Sequence, residues 1–148
     1  MIKNIIFDLN GVVINADRTI LKNPALVRQQ SPFSLVDATV AFIKAQHGKR
    51  KLYVVSNFSK ADEYAWLPTY EPELINLFDG IVVSAHVGYK KPDPRIFLHL
   101  IHEYTLVPAE SLYIDDEALN VAVAKQLGMH GIFFYPGINL QAALEHLS

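Results

Sequence analysis

The 148-residue chain is 51% hydrophobic and 19% charged, a balance that fits one globular domain with one core and argues against disorder. Its formal net charge of -2, with no run of Lys and Arg longer than the three residues 49–51, gives no electrostatic basis for a nucleic-acid or anionic-membrane partner. The absence of cysteine excludes disulfides, zinc–thiolate sites and thiol catalysis.

The first apolar run, residues 2–7, is stopped by Asp8. It is too short for a signal peptide or a membrane span, so a cytoplasmic location is expected. Residues 14–35 are rich in Asn, Asp, Pro and Gln with weak periodicity. They predict a long loop with one helical turn over 24–29, a length that in compact domains usually serves function. A helix is expected to start near Val36. Further strand-like runs fall at 52–55, 81–83, 111–114 and 131–135. They are nearly continuous and rich in β-branched or aromatic residues, as in strands buried on both faces. Asp93-Pro94 predicts an N-cap with proline at the first helical position. Phe97, Leu100, Ile101 and Tyr104 then follow helical spacing, as do Leu140, Ala143, Leu144 and Leu147 behind an Asn139 cap. Gly128 sits where a helix over 117–127 should stop. Alternating strands and helices predict an α/β fold, a three-layer α/β/α arrangement around a doubly wound parallel sheet of about five strands. No repeat or second domain is visible, so residues 1–148 read as one domain.

The polar residues fall at the ends of these runs. Asp8 ends the first, Ser56 and Asn57 the second, Asp115 and Asp116 the fourth, and Lys91 follows the third. In a parallel sheet such residues converge on one edge, where ligands bind. Three carboxylates, a hydroxyl and a lysine together suit a hard cation and a phosphate. Oxygen ligands favour Mg2+, while Lys and Ser orient phosphoryl oxygens.

Four motifs in order resemble those of the haloacid dehalogenase superfamily: Phe7-Asp8-Leu9-Asn10-Gly11-Val12-Val13, Val54-Val55-Ser56-Asn57, Gly88-Tyr89-Lys90-Lys91-Pro92-Asp93-Pro94, and Tyr113-Ile114-Asp115-Asp116 with Asn120 behind it. The resemblance spans the chain. It implies a Rossmann-like core and a Mg2+-dependent phosphatase acting on a small or macromolecular phosphate ester. It implies Asp8 as the nucleophile forming an aspartyl phosphate. Asp8, the carbonyl of Asn10 and Asp116 would bind the metal, with Asp115 holding a metal-bound water or Lys91. Ser56, Asn57 and Lys91 would contact the phosphate, and Gly11 would permit a sharp turn.

Two positions depart from the family pattern. Asn10 stands where the family's phosphatases carry the acid/base Asp, and an amide cannot exchange a proton at neutral pH. Three readings follow: a slow phosphatase or phosphotransferase for good leaving groups, a binding protein without turnover, or a substitution made to trap a complex. The stretch between Asp8 and Ser56 is also too short for the usual helical cap, leaving 14–35 as a rudimentary flap. An open cleft then takes a large substrate or is covered by a second copy in a homo-oligomer. A non-catalytic phosphate- or protein-binding relative is the first alternative. A carbon–halogen hydrolase, for which Asn10 is no handicap but the Asp115-Asp116 pair has no use, is the second.

Plainer roles compete at each position. Asp8, Ser56 and the Asp115-Asp116 pair could simply cap turns and helices, and Lys91 could be solvated like Lys90. Their joint occurrence in four ordered motifs favours the site. His99 and His102, with Glu103 beside them, match no zinc-site spacing. Tyr64, Trp66 and Tyr70 read as core packing or a rim of the site, since no basic stripe interleaves with them.

Overall fold

The computed structural model describes residues 1–147. In chain order, β1 (Asn4–Phe7) leads into β2 (Ile14–Ala16), α1 (Arg18–Leu21), α2 (Pro24–Val27) and β3 (Phe33–Leu35). Next come α3 (Asp37–Gln46), β4 (Lys51–Ser56), three short helices α4 (Ala61–Tyr64), α5 (Trp66–Tyr70) and α6 (Pro72–Ile75), then β5 (Gly80–Val83). The chain closes with α7 (Ser84–Val87), α8 (Pro94–Tyr104), β6 (Ser111–Asp115), α9 (Ala118–Gln126), β7 (His130–Phe133) and α10 (Leu140–Leu147).

Five strands form one parallel sheet in the order β5-β4-β1-β6-β7. The chain builds outward from β1 through β4 to β5, then crosses back to place β6 on the other side of β1. The order therefore reverses beside β1, the kind of place where parallel sheets open a ligand crevice. Strand alternation splits the core into two layers. Ile5, Phe7, Leu52, Val54, Leu112 and Ile114 pack on one face with Phe42 and Ile43 of α3 and Leu140 and Leu144 of α10. Ile6, Tyr53, Val55 and Tyr113 pack on the other with Ile96, Phe97 and Leu100 of α8 and Ala124 of α9. Each large apolar side chain buried this way is worth about 1.5–3 kcal/mol relative to exposure. The three-layer α/β/α expectation holds.

The helix signals also hold. Asp93 accepts from the Arg95 N–H at 2.9 Å, Asn139 accepts from the Ala142 N–H at 2.9 Å, and Gly128 takes φ +95° just past α9. Tyr64, Trp66 and Tyr70 pack against the larger core layer, Tyr64 edge-on to Phe58 and His86. His99 pairs with Glu103 at 2.9 Å on an exposed helix face and joins no metal cluster among the described residues.

Residues 14–35 are more ordered than a loop. β2 and β3 pair antiparallel, Ile14 opposite Leu35 and Ala16 opposite Phe33. The two short helices between them are capped by Asp17, which accepts from Thr19 and Ile20 N–H, and by Asn23, which accepts from Ala25 and Leu26 N–H. Three-residue strands are too short to display alternation, which is why the hairpin leaves so little trace in the sequence.

Candidate active site

The site is built on the carboxyl edge of β1 and β6. Asp8 is the first residue beyond β1, anchored by its N–H to the Ile114 carbonyl at 3.0 Å. The chain then turns back sharply, with the N–H groups of Val12, Val13 and Ile14 all directed at the Leu9 carbonyl. Gly11 makes this possible. Its φ is +93°, and a Cβ there would lie 2.3 Å from Asp116 Oδ2, so both the turn and the approach of Asp116 require glycine.

Lys91 is buried at the centre. Its ammonium donates to Asp8 Oδ1 at 2.8 Å, to Asp115 Oδ2 at 3.1 Å and to the Tyr113 hydroxyl at 3.0 Å. Asp115 is fully buried. Besides Lys91, it accepts from the Tyr113 hydroxyl, from Asn120 Nδ2 at 3.1 Å and from the Glu117 N–H at 2.9 Å. These four donors take up nearly all of its acceptor capacity. Breaking one side of such a buried ion pair typically costs about 3–5 kcal/mol. Asp116, next in sequence, is exposed. Oxygens of Asp8, Asp115 and Asp116 lie within 4.8 Å of one another.

The charges set the protonation states. Burial pushes Asp8 up to about 7 despite Lys91, and Asp115 adds to the rise. Burial also works against ionised Asp115, but the Lys91 charge and the Tyr113 hydroxyl outweigh it and hold that carboxyl below its ordinary value. Asp116 is raised, by burial and then by Asp115. Three crowded carboxylates facing a single lysine form an electron-rich oxygen donor set, which fits a hard divalent cation.

Ser56 ends β4 and is buried beside this cluster's strand. Asn57 takes a supporting position. Its amide grips the Lys91 backbone, donating to the carbonyl at 3.0 Å and accepting from the N–H at 2.8 Å. Asn10 lies on the exposed side of the turn, where its Oδ1 accepts from the Ala16 N–H of β2 at 2.9 Å. Sequence reasoning missed Tyr113 as a site residue, because a tyrosine inside an apolar strand looks the same whether its hydroxyl is used or not.

The sequence profile of haloacid dehalogenase-like hydrolases matches residues 27–134. The chain belongs to this family. A drimenol cyclase of Aspergillus calidoustus is 31% identical over 101 residues, 68% of this chain and 19% of the relative. A D-ribitol-5-phosphate phosphatase of Bacteroides thetaiotaomicron is 31% identical over 88 residues, 55% of this chain and 43% of the relative. The chain thus spans less than half the length of either. The fold resembles a haloacid dehalogenase family enzyme of Bacteroides thetaiotaomicron, solved as a mutant with magnesium and inorganic phosphate. The TM-score is 0.78 at 19% identity, over 97% of this chain and 99% of the other.

Proposed function

We propose that this domain hydrolyses phosphate monoesters through a covalent phosphoryl intermediate on Asp8, with Mg2+ as its metal. The observation that carries the reading is the contact of Lys91 Nζ with Asp8 at 2.8 Å, inside a cluster that also gathers Asp115 and Asp116. A carboxylate nucleophile needs a fixed orientation and a neighbouring cation that offsets charge as it moves onto phosphorus. Lys91 supplies both. Asp115, saturated by protein donors, holds Lys91 in place and leaves Asp8, Asp116 and the Asn10 carbonyl as the groups that would hold the metal. When bound, Mg2+ supplies charge neutralisation for the phosphoryl oxygens. Family membership and a phosphatase among the relatives support the same reaction class.

In this reading an Asp8 oxygen attacks phosphorus and the ester oxygen leaves with the electrons of the broken P–O bond. Asn10 cannot donate a proton, so the departing oxygen takes one from water. A second water then attacks phosphorus, breaks the bond to Asp8, and releases inorganic phosphate. Ser56 orients a phosphoryl oxygen. Asn57 acts one step removed, by fixing the Lys91 backbone. Residues 14–35 form a rudimentary cap over a single core domain that works in the cytoplasm, and a second copy is the candidate to complete the cover. Among the described residues no helix is long and apolar enough to cross a membrane.

A binding relative without turnover is the second reading, favoured by Asn10, whose amide oxygen is already bonded to Ala16. A carbon–halogen hydrolase has no use for the third carboxylate. Acid quench after incubation with acetyl phosphate and Mg2+ tests the proposal. Peptide mass analysis should find a phosphoryl group on the Asp8 peptide and none in Asp8→Asn. No adduct, or an adduct that survives Asp8→Asn, would sink it.

A further inference from the structure

A cavity of about 670 Å3 lies between the start of α3 and the segment that joins β7 to α10. Its volume is in the range of small-molecule sites, about 300–1,000 Å3. Phe42 of α3, Phe134, Pro136 and Ile138 of the joining segment, and Leu140 of α10 give it an apolar body. It meets the catalytic turn at Gly11, but Asp8, Lys91, Asp115 and Asp116 are not part of its lining.

Among the described residues, no side chain in this lining carries a charge. The local field comes from the backbone instead. Val36, Ala38 and Thr39 bring the N-terminus of the ten-residue α3 to the cavity, and Asn139, Leu140 and Gln141 bring that of α10. Helix N-termini carry partial positive charge and collect anions. Asn139 caps α10, but Val36 gives α3 no side-chain cap. Among the described residues, the N–H groups of Asp37, Ala38 and Thr39 have no acceptor. Asp37, the acidic residue of that first turn, is exposed and outside the lining. Thr39 itself also lacks a partner. It is 1% exposed, and its hydroxyl oxygen is buried without a hydrogen bond. A threonine in a helix can return its hydroxyl to a preceding backbone carbonyl, and this one does not. The Gln141 amide, by contrast, is committed, accepting from Gln46 at 2.9 Å and donating to Glu145 at 3.1 Å. A buried hydroxyl without a partner is costly, and a ligand acceptor that draws it into the cavity offsets that cost.

We propose that this cavity is a second ligand site, separate from the metal and phosphate cluster, for a small carboxylate with an aromatic or branched apolar body. The carboxylate sits at the first turn of α3, accepting from the Thr39 hydroxyl and the uncapped N–H groups, and the body packs against Phe42 and Phe134. Binding here does not depend on phosphoryl transfer. Calorimetric titration of the full chain with phenylacetate tests it, with phenylacetamide as the neutral analogue, acetate as the charge without the body, and thermal melts to confirm that each variant folds. Phenylacetate should bind at about 1 mM or tighter. Phenylacetamide should bind about tenfold more weakly, because hydrogen bonds to a charged group are the stronger ones, and acetate more weakly still. Thr39→Val keeps the side-chain shape and removes the hydroxyl. It should weaken phenylacetate binding by about 10–100-fold. Its melting temperature without phenylacetate should stay level or rise, since the hydroxyl has no partner to lose. Ala45→Phe, at an exposed position of α3 in the cavity lining, should fill the space and abolish binding. Asp8→Asn should bind phenylacetate as the wild type does. Absence of phenylacetate binding at about 1 mM, equal binding of phenylacetamide, unchanged affinity in Thr39→Val, or loss of binding in Asp8→Asn overturns the proposal, and each leaves the phosphohydrolase reading untouched.

Discussion

Asn57 and Lys91 exchange two hydrogen bonds, side-chain amide to peptide, at 3.0 and 2.8 Å. The first residue beyond β4 thereby fixes the backbone from which the central ammonium reaches Asp8. The contact explains why Asn, with one donor and one acceptor, suits this position. Replacing it with Asp removes the donor and replacing it with Ala removes both. Asn57→Ala is expected to lower kcat by about tenfold or more through loosening of Lys91, with a smaller change in KM. A rise in KM at constant kcat would instead mark Asn57 as a substrate contact.

The Tyr113 hydroxyl joins Lys91 to Asp115. Tyr113→Phe keeps the ring, which packs edge-on against Phe97, and removes only the bridge. The expected loss is about 1–3 kcal/mol in chemical denaturation, the cost of leaving buried polar groups short of a partner. No change in stability would show that Asn120 and Lys91 satisfy Asp115 without it.

Burial raises Asp8 to about 7 from an ordinary value of 3.8. The native state therefore holds this proton over a pH range in which the unfolded chain has lost it. The contribution of Asp8 to stability is greatest below about pH 4 and declines as pH rises through about 7. In metal-free buffer, wild type should lose stability relative to Asp8→Asn between pH 5 and 8, by an amount on the order of a few kcal/mol. Metal binding needs the ionised form, so Mg2+ affinity should increase over the same interval. Parallel melting curves for the two proteins across this range would contradict the shift.

Gly11 serves both the turn and Asp116. Gly11→Ala forces a side chain into a left-handed conformation and places its Cβ against Asp116 Oδ2. A cost of about 1–3 kcal/mol in stability is expected. Mg2+ binding should weaken by at least tenfold, measured by calorimetry. Unaltered Mg2+ affinity would remove Asp116 from the metal site.

Much of this arrangement is legible in the residues themselves. Ile5 to Phe7 and Leu112 to Ile114 are continuous apolar runs because both faces of a central parallel strand are covered. The polar residue that follows each run can then lie only at the sheet edge. That reasoning finds Asp8, Asp115 and Asp116 together. It does not find Tyr113, whose hydroxyl reaches the site from a buried ring. Nor does it find Asn57's grip on Lys91, which depends on how two loops meet in space. The β2–β3 hairpin escapes because Ile14-Asn15-Ala16 and Phe33-Ser34-Leu35 are too short for a period to emerge. Asp17 and Asn23-Pro24 did carry capping signals there, of the same kind that identified Asp93-Pro94.

The central claim is that Asp8 is a phosphoryl-accepting nucleophile in a metal site that lacks only its acid/base group. The most direct test is hydrolysis of p-nitrophenyl phosphate, with and without Mg2+, by the wild type, Asn10→Asp and Asp8→Asn. The account predicts Mg2+-dependent turnover that rises about 10²–10⁴-fold in Asn10→Asp and disappears in Asp8→Asn. Absence of turnover in both the wild type and Asn10→Asp, while Mg2+ still binds, would contradict it.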